Sequence, residues 1–187
     1  MPPLLRRVAI GAAVALVLAA AAIPVAQRVM TRVPSGITPV TGFDAAHYMG
    51  RWFEIARLDH RFERGMTDVT AEYTLNEDGS VQVVNRGLKG GEWQSITGTA
   101  RFRDDPSVAS LAVTFFPLLP GGYHVFALDE GYRWAVVSGP DRDYLWILAR
   151  DAQMDQAEYD RLVGIARENG FAVEGLIRVS HDNRAGS

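Results

Sequence analysis

Residues 48–65 read YMGRWFEIARLDHRFERG, an aromatic and aliphatic run that ends in charges around a histidine. Its first part, Arg51 to Leu58, has the apolar density of a buried β-strand; its second part, Asp59 to Gly65, reads as a charged loop. The runs that follow repeat this plan. Apolar segments alternate with turn clusters at Asn76–Gly79, Lys89–Gly91, Asp104–Pro106, Pro117–Gly122, Asp129–Gly131 and Gly139–Asp143. Strands are expected near residues 51–58, 68–75, 81–86, 92–102, 110–116, 123–128, 132–138 and 144–150, eight in all. Val69, Ala71, Tyr73 and Leu75 alternate with Thr70, Glu72 and Thr74, as in a sheet with one wet face. WFEIA and YLWILA are apolar on both faces, so something must also cover the outside.

That cover is expected from DQAEYDRLVGIARENG, where Tyr159, Leu162, Val163 and Ala166 share one helical face. Asp155 and Glu158 suit a capping box, and Gly170 a helix end. Eight hairpin-linked strands and one helix predict an all-β architecture: an eight-stranded antiparallel up-and-down β-barrel with a C-terminal α-helix packed outside. A further extended piece, Leu176 to Ser180, is placed to extend the sheet.

The first 33 residues differ from the rest. Arg6, Arg7, Arg28 and Arg32 occur without any acid, around an uncharged stretch from Val8 to Ala26. This predicts a hydrophobic N-terminal helix, either a cleaved signal peptide or a membrane anchor. Residues 34–42 read as a linker, 43–180 as the folded domain and 181–187 as a disordered tail. Without the four N-terminal arginines, the 19 basic residues fall to 15 against 22 acidic, a net charge of −7 that disfavours nucleic acid as a partner. With no cysteine there is no disulfide or thiolate chemistry. His47, His60, His124 and His181 lie far apart, and HExxH, GxSxG and phosphate-loop patterns are missing, so no enzyme, metal or cofactor is expected.

Gly50-Arg51-Trp52, continued by Phe53-Glu54-Ile55, resembles the first signature of the lipocalins. Gly139 to Tyr144, with Asp143 and Tyr144 at its end, resembles the second, and Arg150 the third. The chain is most similar to bacterial lipocalins, of the branch that includes apolipoprotein D and plant temperature-induced lipocalins. The resemblance implies a barrel floor closed by Trp52 and Arg150, and binding of fatty acids or lysophospholipids for storage, transport or membrane maintenance. An enzyme of the same shape, and a filled barrel that binds a protein partner, remain the alternatives; a homodimer is left open.

Parity puts Glu54 inside with Trp52, where its carboxylate needs a structural partner or a ligand. Tyr73, Phe115 and Trp146 fall on inner faces as candidate ligand contacts, whether they line a cavity or fill it. Arg61 and Arg64, after the first strand, belong at the mouth and suit an anionic head group. Bacterial members commonly carry a lipidated cysteine. Its absence argues here against an outer-membrane lipoprotein and for the periplasmic side of the envelope, secreted or anchored in the inner membrane.

Overall fold

The computed structural model describes residues 27–116 and 119–183. The expected N-terminal hydrophobic helix thus lies outside the described residues as far as residue 26, and the tail does so from residue 184. Among the described residues no helix is long and apolar enough to cross a membrane.

A single helical turn, α1 (Ala45–Tyr48), precedes eight antiparallel strands: β1 (Gly50–Leu58), β2 (Met66–Leu75), β3 (Val81–Lys89), β4 (Glu92–Phe102), β5 (Ser110–Phe116), β6 (Leu119–Leu128), β7 (Trp134–Ser138) and β8 (Leu145–Ala149). Then come α2 (Gln156–Glu168), a short 3-10 turn (Val173–Gly175) and β9 (Leu176–Arg178). Each strand from β2 to β7 pairs with the next, and β1 pairs with both β8 and β2, closing the barrel. This is the expected eight-stranded barrel with one extra strand.

Closure is uneven along β1. Gly50 to Phe53 face Tyr73 to Thr70 of β2. Beyond that, β2 shifts register between Thr67 and Thr70 and carries Asp68 at a φ of 54°. Past Phe53 the β1–β2 ladder stops, and the C-terminal segment bonds to both strands. β9 pairs with Ala56 to Leu58, Val179 donates to the Ile55 carbonyl, and Asp68 donates to the Ser180 carbonyl. His181 Nε2 sits 2.9 Å from the Glu54 carbonyl, and the Asn183 amide donates to Asp68 Oδ1.

Two apolar clusters follow from the alternation. Inside the barrel pack Trp52, Tyr73, Val83, Leu111, Val125 and Val137 with their neighbours. Outside, Ile55, Ala56, Ile147 and Val136 meet Leu162 and Ala166 of α2. The helix starts where Asp155 Oδ1 accepts from the Glu158 amide at 2.8 Å, and ends before Gly170, at a φ of 82°. The residues from Thr31 onward pack on the outside too: Pro34 and Ile37 are buried, and the Val40 amide donates to the Val125 carbonyl. Arg142 holds this cover down, donating to the Ser35 and Asn169 carbonyls at 2.7 and 2.9 Å.

Candidate functional site: a closed floor and a charged, apolar-rimmed mouth

At the floor, Gly50 takes a φ of 88°, and a Cβ there would stand 3.6 Å from Arg150 Nη1. The Arg150 guanidinium lies 4.0 Å from the Trp52 ring centre and donates to the carbonyls of Arg51, His47 and Tyr132. Stacking of this kind, partly desolvated, contributes about 1–2 kcal/mol. The Trp52 indole donates to the Tyr48 carbonyl at 2.8 Å. Above it three phenols join: Tyr123 Oη is 2.7 Å from that of Tyr48 and 2.9 Å from that of Tyr73. Burial raises the pKa of all three, so they stay neutral. The void between Tyr48, Tyr73, Tyr123, Phe43, Leu111 and Val113 measures about 10 Å³. That is room for one water at most, against the roughly 300–1,000 Å³ of a ligand pocket.

Towards the mouth the interior becomes polar. Pairing of β1 with β8 slips between Glu54 and Ala56, so Ile55 and Ala56 both join the outer cluster. The bulge brings Glu54 and Arg57 to the same side although they are three residues apart. Both are buried, and Arg57 Nη1 donates to Glu54 Oε1 at 2.6 Å. Arg57 Nη2 also donates to the carbonyls of Glu63 and Met66, fastening the β1–β2 loop.

That loop carries the second carboxylate. Glu63 Oε2 accepts from the Trp146 indole at 3.1 Å and lies 2.8 Å from His60 Nε2. Burial and the nearby Glu63 charge push the Glu54 carboxyl well above the usual range, against the pull of Arg57. Glu63 goes the other way: burial opposes its charge, but the His60, Trp146 and Arg57 contacts together outweigh it and lower its pKa. The cluster therefore holds Glu63 ionised and Glu54 towards its protonated form. Arg57 Nε, both ring nitrogens of His60, Asn85 Oδ1 and Ser138 Oγ are buried without a hydrogen-bond partner, so His60 approaches Glu63 as a close polar contact and not as an aligned donor.

The other sequence-derived candidates are spread around this cluster. Trp146 is part of it, half-buried and in contact with the His60 ring at 5.4 Å. Phe115 is half-buried over Gly98, where a Cβ would come within 2.7 Å of its ring. Tyr73 belongs to the phenol group at the floor. Tyr144 packs on His60 and Trp146, and Asp143 is exposed, its amide bonded to Asp141. Arg61 lies over the exposed Phe62 ring at 4.7 Å, and Arg64 pairs with Asp59 at 2.8 Å. His60, placed with these two arginines by the sequence, turns inward and is buried. Arg57 and Glu63 were missed: parity without a bulge turns Arg57 outward, and Glu63 sits in what reads as a solvated loop. Among the described residues no group of three potential metal ligands assembles.

A closed eight-stranded antiparallel barrel, plugged at one end by a stacked arginine and covered outside by one helix, defines a lipocalin-like barrel. A lipocalin-like domain model matches residues 43–181, and the chain belongs to the lipocalin family, whose members bind hydrophobic small molecules. It is 50% identical to the outer membrane lipoprotein Blc of Citrobacter freundii over 78% of this chain and 84% of that protein. Temperature-induced lipocalin-1 of Arabidopsis thaliana is 40% identical over 73% and 78%, and mouse apolipoprotein D 32% over 75% and 78%. Among solved structures, the cockroach allergen Per a 4 superposes with a TM-score of 0.63 at 19% identity, covering 81% of this chain and 95% of that one; this likeness concerns the fold.

One expectation is overturned. The missing cysteine argues, on sequence alone, against an outer-membrane lipoprotein, yet relatives from Citrobacter, Escherichia coli and Vibrio cholerae, each matched over 78% of this chain, are named outer membrane lipoproteins. A cysteine bears on how a chain is tethered, and its absence does not tell which membrane the barrel serves.

Proposed function

We propose that the barrel binds a single-chain lipid, a fatty acid or lysophospholipid, and serves lipid storage, transport or membrane maintenance from a membrane-attached position set by the N-terminal segment. The observation that carries this is the apolar rim. Of the eight large apolar side chains exposed among the described residues, Phe62, Trp93 and Phe116 stand on the loop and strand ends at the mouth. Leaving such groups in water costs about 25 cal/mol per Å², which an acyl chain passing the rim would recover. The inner wall continues this surface through Val83, Leu111 and Val113. Each methylene buried there contributes about 0.8 kcal/mol before ordering costs.

The small void means that entry requires inner side chains to move. Phe115 and Trp146, half-buried at the open half, are the large rings placed to do so. The same void favours a second reading, a filled barrel whose outer surface binds a protein. Native mass spectrometry of the full-length chain purified from membranes separates the two. A co-purified single-chain lipid is the expected result; lipid-free protein that also fails to take up added lipid supports the filled barrel.

A further inference from the structure

We propose that Glu63 is a built-in surrogate for a ligand head group: its carboxylate occupies an oxyanion site between Trp146 and His60, in the field of the buried Arg57, which the carboxylate or phosphate of a single-chain lipid would take over. This rests on the lipid-binding reading and deepens it by moving the head-group site from the exposed Arg61 and Arg64 to the buried cluster.

The site is built for an anion. Trp146 Nε1 donates to Glu63 Oε2 at 3.1 Å, and His60 Nε2 stands 2.8 Å from the same oxygen. Arg57 is only 1% exposed, and its Nε, like both ring nitrogens of His60, is buried without a hydrogen-bond partner. A buried cation with a spare donor is costly, and an anion with more than one acceptor oxygen would relieve it. Asn85 Oδ1, also buried and unpaired, belongs to the residue paired with Ala71 and Ile96, at a level two residues below Glu54.

The anion already present is replaceable. Glu63 lies on a loop, its side chain is 14% exposed, and its backbone is fixed separately through its own carbonyl, which accepts from Arg57 and from the Met66 amide. Rotation about the side-chain bonds alone can turn the carboxylate out to water while the loop stays bonded. An incoming oxyanion then replaces the negative charge that Glu63 withdraws from beside Arg57, and the rim and inner wall take the acyl chain. Arg61 and Arg64 lack these features: one covers Phe62 and the other is already paired with Asp59.

The test is a calorimetric titration of the full-length chain and its Glu63→Gln and Glu63→Ala variants with three probes of equal chain length: a fatty acid, a lysophosphatidate and a fatty alcohol. Removing the surrogate should raise the preference for an anionic probe over the alcohol by about tenfold. Trp146→Phe, which keeps a ring but loses the donor, should lower that preference in the Glu63→Gln background. The anionic probe that gains more identifies the head group as carboxylate or phosphate. Saturable binding with the same anion-to-alcohol ratio in wild type and both variants overturns the surrogate and leaves the lipid-binding reading intact. If no probe binds any form, both fall. Glu63→Asp, which keeps the charge but withdraws it by one methylene, should give an intermediate gain.

Discussion

Arg57 pairs with the Glu54 carboxylate inside the barrel and bonds the Glu63 carbonyl, and the roles of the three differ. Arg57→Met leaves Glu54 and Glu63 without their shared cation and should cost about 3–5 kcal/mol in urea unfolding at neutral pH. Glu54→Gln keeps an acceptor for Arg57 and imitates the protonated form that burial favours, so it should cost less than about 1 kcal/mol. A raised carboxyl pKa stabilises the fold fully below the ordinary value of 4.5 and progressively less as pH rises through the folded value. Glu54→Gln should therefore gain on wild type as pH climbs from 4.5 to neutrality; a constant difference would mean that Glu54 is ionised throughout. His124 shows the opposite behaviour. Buried on the barrel's outer side, it accepts from Ser110 at Nδ1 and donates to the Arg32 carbonyl from Nε2, since that carbonyl can only accept. Burial lowers its pKa from 6.5 to about 4. Stability present above pH 6.5 should fall by about 3 kcal/mol towards pH 4 on this account, and His124→Gln should flatten that part of the profile. Sequence alone showed that Glu54 points inward, through its parity with Trp52. It did not show Arg57, because one residue inserted at Ile55 reverses the parity of all that follows.

At the scale of elements, the turn clusters and the period of α2 carried most of the information. The sites where two strands disagree in register carried almost none. The bulge in β1 and the positive φ at Asp68 leave a gap that β9 fills, and neither Ile55 nor Asp68 looks unusual in a strand. The helix is the outer wall's main cover, with Leu162 and Ala166 fully buried against it. Leu162→Ala should lower stability by about 2–5 kcal/mol, and Asp155→Ala, which removes the cap on the Glu158 amide, by about 1 kcal/mol. Thermal unfolding followed by circular dichroism measures both. If Leu162→Ala costs no more than Asp155→Ala, the helix is an appendage and the barrel stands without it.

Over the whole molecule, the two-sided apolarity of β1 and β8 announced both an apolar interior and an outer cover, because each face of those strands must be buried against something. The cover is shared by α2 and the segment carrying Val33 and Ile37, which proline and glycine made look like linker. The mouth was the least legible part: its chemistry depends on which loop side chain folds back, and His60 and Glu63 do so while Arg61 and Arg64 stay out. The central claim is that this barrel takes an acyl chain past its apolar rim. Titration of delipidated full-length protein with a long-chain fatty acid, followed by tryptophan fluorescence, tests it most directly, since Trp93 stands on the rim and Trp146 within the mouth. The account predicts a saturable change that ends at one equivalent. A linear, unsaturable response, or none, would contradict it.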